Sequence, residues 1–161
     1  MPEVTGGIAA AVVAGSIAVA GVVTGGASAE AAQVANACRS WVTHDYARIT
    51  DNIRLDSCYY VTGGYVMSAQ IPFENYSGAG LTYCAHALDT SNLGGPWPHD
   101  FGCTSSGDKD SWVWAGTDRP FGSRYQYWSA PQGTYVVSTG VWLNGRYLGD
   151  VQSPRTYIGA H

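Results

Sequence analysis

Two histidine–aspartate dipeptides, His44-Asp45 and His99-Asp100, hold the side chains best suited to general acid–base work. An imidazole beside a carboxylate supplies a base and the group that orients it, but hydrolysis also needs a nucleophile. No G-x-S-x-G elbow and no H-E-x-x-H pair accompanies them. Gly107-Asp108-Lys109-Asp110-Ser111 spaces two carboxylates as calcium loops do. Such a loop needs more oxygen ligands and usually a closing glutamate, and here the stretch reads as a charged turn. Glu74 could pair with several aspartates for glycoside hydrolysis, and no spacing singles one out. The residues therefore point to no catalytic set, no metal and no cofactor, and the chain is expected not to be an enzyme.

Contact chemistry is better represented. Six tryptophans and eleven tyrosines stand in 161 residues, while charged residues make up only 12%, about half the usual share. Large rings on a charge-poor exterior are how contact surfaces gain affinity. Trp97 lies between Pro96 and Pro98 in a loop-like stretch, where burial is hard to arrange. Trp128, Trp142 and Tyr147 lie in or near the last hairpin. These four are the expected binding residues. Trp112 and Trp114 share one face of a short strand, and alternation assigns that face to the interior. There is one lysine and no basic stripe, which argues against nucleic acid as a partner.

Four cysteines, Cys38, Cys58, Cys84 and Cys103, are not arranged as C-x-x-C, which argues against zinc or redox work. Two disulfides are expected, and of three connectivities the neighbour pairing Cys38–Cys58 and Cys84–Cys103 is favoured. Each would close a loop of about 20 residues and contribute roughly 3 kcal/mol. Such bridges belong to oxidising compartments. Residues 1–29 fit that location. Ile8 to Val23 is apolar apart from Ser16, and Ala27-Ser28-Ala29 follows as a small-x-small site, although Met-Pro-Glu stands where a basic start is usual. A membrane anchor is the competing reading, since the run is long enough to span a bilayer. A cleaved signal peptide over 1–29 and a single secreted domain over 30–161 are expected, with no membrane association after cleavage.

The elements that must carry these side chains are strands. Ile53 to Val61 alternates, Thr62-Gly63-Gly64 turns, and Tyr65 to Ile71 alternates back, to be ended by Pro72. Leu81 to Leu88, Ser111 to Ala115, Arg124 to Ser129 and Arg155 to Ile158 read as further strands. Residues 30–37 read as a short helix or loose chain. Asp89 to Asp110, with four glycines and two prolines, reads as a long loop tied down by Cys84–Cys103. In residues 133–152, Tyr135, Val137, Thr139, Val141 and Leu143 share the better core face. Val136, Ser138, Gly140 and Trp142 share the other, and Asn144-Gly145 suits a type I′ turn. Seven or eight short strands and no convincing helix beyond the export segment indicate an all-β, disulfide-tied β-sandwich.

Ala130-Pro131-Gln132-Gly133-Thr134-Tyr135-Val136-Val137 resembles the turn-then-strand phrase of bacterial immunoglobulin-like domains, with Gln132 interrupting the Pro-Gly. The resemblance implies an immunoglobulin-like sandwich whose tyrosine plugs a corner with its hydroxyl. In size, export signal, four cysteines and charge-poor β pattern, the chain resembles small secreted actinobacterial proteins, among them the adaptor subunit of umbrella toxin particles. That likeness implies a secreted, non-enzymatic adaptor that docks to a protein partner through aromatic loops or a sheet edge, within a larger extracellular complex. Two other readings stand beside it. One is a carbohydrate-binding module stacking sugars on Trp97, Trp128 or Trp142. The other is a secreted protease inhibitor presenting the loop 89–110.

Overall fold

Alternation and turn chemistry set the first hairpin. Gly63 and Gly64, at φ 62° and 82°, reverse the chain so that Thr62 pairs with Val66. The computed structural model describes residues 36–116 and 126–161. The expected export segment and the start of the strand at 124 lie outside them. From the N-terminal side run β1 (Asn36–Cys38), the single helical turn α1 (Ser40–Thr43), β2 (Ala47–Thr50), β3 (Ile53–Leu55), β4 (Cys58–Thr62) and β5 (Val66–Asn75). There follow β6 (Leu81–Asp89), β7 (His99–Ser106), β8 (Asp110–Trp114), β9 (Trp128–Ser129), β10 (Gly133–Leu143), β11 (Arg146–Gln152) and β12 (Thr156–Ile158). The segments outnumber the turn signals because several are only two to four residues long. Residues 36 and 37, the end of the stretch expected to be helical or loose, belong to strand β1.

Seven segments form one antiparallel sheet and five form a second. In the first, β3 and β4 lie end to end along one side of β5, and β8 and β9 along the other, with β2 and β1 outside β3 and β4. The second runs β11–β10–β6–β7, with β12 beside the start of β10. Pro72 does not end its strand; β5 continues to Asn75. Asp56 donates its N–H to the Pro72 carbonyl at 2.9 Å, but proline has no N–H to return the bond. The missing donor therefore divides the opposite strand into β3 and β4, which keep a common register on β5.

The long loop expected over 89–110 contains a strand. Residues 99–106 are β7, paired with β6, and the connection shrinks to 90–98. Glycine-interrupted alternation hides this strand. Its register shifts between Ala85 and His86, and Gly102 takes φ +83°. The extra residue of that bulge lets Phe101 turn fully inward while Asp100 stays opposite His86.

Between the sheets pack Leu55, Tyr59, Met67, Ile71 and Phe73 from the first and Tyr83, Ala85, Val137 and Val141 from the second. Phe73 and Tyr83 stack across the interface at 4.4 Å. Ser57 adds a polar pin: its hydroxyl donates to the Val137 carbonyl at 2.9 Å and lies 2.8 Å from Thr139 Oγ1. Tyr135 closes a corner by donating its hydroxyl to the Pro131 carbonyl at 3.0 Å, as the immunoglobulin-like phrase implies. A Cβ on Gly133 would sit 2.6 Å from that hydroxyl, so only glycine lets the ring cross there.

Tyr83 is fully buried and its hydroxyl has no hydrogen-bond partner among the described residues. Burial pushes its phenol far above the ordinary value, and the charge of Asp108 adds to the shift. An unsatisfied buried hydroxyl is a cost, so Tyr83→Phe is expected to raise stability by about 1 kcal/mol. Urea denaturation monitored by circular dichroism checks it; a loss of stability would mean the hydroxyl is solvated after all.

Trp112 and Trp114 do not enter the interior. Val113 takes the core face of β8, fully buried, and the two indoles pack on the outside of the first sheet. Trp114 meets Tyr60 edge-on at 5.1 Å and Trp112 at 5.9 Å. Alternation placed them together, but the smaller β-branched residue between them fills the space between the sheets.

Both disulfides form with the expected neighbour pairing, Cys38–Cys58 and Cys84–Cys103. Each joins residues directly opposed on adjacent strands, with Cα atoms 4.0 Å apart. Neither links one sheet to the other. The Asp56 carboxylate lies within 4.8 Å of the first pair of sulfurs. Bonded sulfurs offer no thiolate to a metal, and Asp56 instead accepts N–H bonds from Ser40 and Ser57 at 3.1 and 2.9 Å.

Candidate functional site

The odd residues of β6 and β10 face the core, so the even ones face outward. Cross-strand pairing sets these outward residues in rows. Asp100, His86, Ser138 and Gln152 form one row; Cys103, Cys84, Gly140 and Asp150 form the next; Thr82, Trp142 and Tyr147 follow. The last row depends on a bulge. Val141 pairs with Gly149, but Trp142 pairs with Tyr147, so one residue is skipped. Without that slip Tyr147 would face the opposite side of the sheet. With it, the two rings meet at 5.2 Å with planes tilted 53°.

Gly140 forms the floor beneath them. A Cβ there would lie 2.7 Å from the Trp142 ring and 3.3 Å from Tyr147. The opposite wall comes from the 90–98 connection. Thr90 anchors its start by donating its N–H and hydroxyl to the Thr134 carbonyl at 2.9 and 3.0 Å. The chain then folds Trp97 flat onto His86, ring centroids 3.7 Å apart and planes 18° from parallel. His86 Nδ1 lies 3.2 Å from Asp100 Oδ1 without the alignment of a hydrogen bond.

Between these walls lies an open groove of about 320 Å³, into which Leu88 and Leu93 also project. Trp97 and Tyr147 keep 57% and 50% of their surface exposed, and Trp97, with one face on His86, leaves its other face open. Among the described residues, Asp150 is the only carboxylate in the lining, and no lysine or arginine belongs to it. Its Oδ2 accepts the Ser138 hydroxyl at 3.1 Å, and its Oδ1 accepts the Tyr147 hydroxyl. The Tyr147 phenol is pushed up to about 12, first by desolvation and then by its bond to Asp150 and that residue's charge. It remains a neutral donor at physiological pH.

Three of the four expected binding residues, Trp97, Trp142 and Tyr147, therefore meet in one groove. Trp128 does not join them. It pairs with Met67 on β5, which turns its ring toward the core. There it stacks parallel to His99 at 5.5 Å and meets Tyr135 edge-on at 5.0 Å. His44 is an exposed left-handed residue ending α1, and His161 stacks on Tyr65 at 4.3 Å. The histidine facing Asp100 is His86, not its sequence neighbour His99. His86, Asp150 and Gly140 were not singled out in the sequence. Alternation over Leu81–Leu88 places His86 opposite the core face, and counting back from the Asn144-Gly145 turn brings Asp150 near Gly140.

Desolvation among Phe101 and Trp128 lowers the His99 pKa below its ordinary value, against the opposing charge of Asp100. The unfolded chain thus takes up a proton at a pH where the folded form still rejects it. Stability is complete above the ordinary histidine pKa and is lost as pH falls through the lowered folded value. The melting temperature is expected to drop as pH falls below the ordinary histidine value of about 6.5, and His99→Gln to flatten that slope. Melting curves on both proteins across the range check it; an unchanged slope in the variant removes His99 as the cause.

Comparison with known proteins finds no matching family model, no matching curated protein and no matching solved structure. The reading of the site rests on its geometry.

Proposed function

We propose that this protein is a secreted, non-enzymatic binding module that docks to a partner protein through the aromatic groove of its second sheet, as an adaptor within a larger extracellular assembly. The observation that carries this reading is the convergence of Trp97, Trp142 and Tyr147, distant in sequence, on one solvent-open groove. Aromatic anchors of this kind dominate the energetics of protein contacts. The two disulfides and the apolar segment ahead of them support an extracellular setting. The inhibitor reading loses its main support, because the second half of the loop it required is β7.

The test is co-purification of the secreted protein from culture supernatant, wild type beside Trp97→Ala and Trp142→Ala. A stoichiometric partner is expected with the wild type and is lost from both variants. A partner retained equally by all three would place docking elsewhere. A glycan is the second reading, favoured by the flat, exposed face of Trp97 held against His86. Under that reading, chitin, peptidoglycan or cellulose fragments should quench tryptophan fluorescence in the wild type and not in Trp97→Ala.

A further inference from the structure

We infer that the groove selects a cation: the ammonium or guanidinium of a lysine or arginine side chain on the docking segment of the partner. This rests on the binding-module reading and specifies its ligand. Three features of the lining agree. The ring faces of Trp97, Trp142 and Tyr147 carry negative quadrupoles that attract a positive charge placed over them. The Asp150 carboxylate stands among them with no lysine or arginine beside it among the described residues of the lining, and the one imidazole there, His86, faces Asp100. It accepts two hydroxyl hydrogen bonds, one on each oxygen. A carboxylate has about four lone-pair sites, so two remain for incoming N–H donors.

The chemistry of the occupant follows by comparison. An anion would meet Asp150 and the ring faces and be repelled. A neutral occupant would cover Asp150 and strip it of water without supplying a counter-charge, which is costly. A long basic side chain satisfies both parts of the groove. Its head reaches the carboxylate and the rings, and its methylene stem lies along Leu88 and Leu93. The charge of the whole chain has the same sense, with 12 acidic against 8 basic residues. That excess steers a basic segment toward the surface.

The experiment uses the intact protein and three blocked short peptides that differ only at a central lysine, arginine or norleucine. Indole signals of Trp97 and Trp142 are followed by NMR during titration. The lysine and arginine peptides are expected to shift both signals, and the norleucine peptide to leave them in place. Asp150→Asn, whose amide oxygen still accepts a hydrogen bond, should weaken the cationic peptides by about tenfold, and salt should weaken them in the wild type. Superimposable near-ultraviolet circular dichroism would show that the variant is folded. Binding of the norleucine peptide as tight as the lysine peptide, or no effect of Asp150→Asn, overturns the cation inference. Binding of neutral chitin fragments without any response to cations also overturns it, and would leave a binding module of a different ligand class. If no peptide binds and the natural partner still co-purifies with Trp97→Ala, the inference and the proposed docking site both fail.

Discussion

Gly116→Ala is expected to lower the unfolding free energy by about 3–5 kcal/mol. Gly116 follows β8 with φ +72°, and a Cβ there would lie 2.1 Å from the Phe101 carbonyl oxygen. Neither problem has a cheap remedy. The backbone conformation is one that side chains other than glycine rarely adopt. The obstructing atom is backbone, not the flexible end of a side chain. Gly102 passes the same point with φ +83°, and a Cβ on it would be 3.1 Å from Gly116 Cα. Here β7 of one sheet meets the end of β8 of the other, and Thr104 donates its hydroxyl to the Trp114 carbonyl at 2.7 Å. Moving the Phe101 carbonyl aside would pull its fully buried ring from the core. Gly107→Ala is the control, because a Cβ there meets nothing within 4 Å and φ is not positive. Urea denaturation should separate the two variants clearly; equal midpoints would show that the crossing at Gly116 is not tight.

The second large effect is the loss of the Cys84–Cys103 bridge. Replacing both cysteines by serine is expected to cost about 3 kcal/mol, mainly by freeing the unfolded chain. The same replacement at Cys38 and Cys58 should cost a similar amount, since the sequence separations are 19 and 20. The consequences for the groove should differ. Cys84–Cys103 holds β7 to β6 one row from His86, the residue on which Trp97 stacks. Releasing it should broaden the Trp97 indole resonance and weaken ligand binding in protein that is still folded. Removing Cys38–Cys58, on the first sheet, should leave that resonance sharp. The same broadening in both double variants would mean that the groove depends on global stability and not on the β6–β7 pairing.

Features governed by neighbours in sequence were legible in the residues. Asn144 and Gly145 take the φ values, 50° and 77°, that their pairing implied, and the hairpin folds with the expected core face. The neighbour pairing of the cysteines was the favoured one of three, and the Tyr135 corner was implied by an eight-residue phrase. Features set by distant packing were not legible. β7 lay hidden because its bulge breaks the alternation at Phe101. Pro72 suggested a strand end, but a proline can remain within a strand when only one partner loses its bond. Trp128 and Trp97 were both expected to bind, and they separated because one pairs with Met67 while the other folds over His86. The groove itself needed the skipped residue in the β10–β11 ladder, which no local pattern announces.

The placement of both bridges within sheets bears on how the molecule yields when its ends are pulled. Opposed leaves held by apolar contact and the Ser57 pin part without breaking a covalent bond. Each leaf nevertheless keeps a closed ring of chain that cannot lengthen. In single-molecule stretching, the 20 and 19 residues spanned by the bridges would be missing from the contour gained. A reductant would release them, adding roughly 65 Å for each bridge opened. Tension alone would therefore leave two tethered rings, ready to draw the leaves together again once the load is removed.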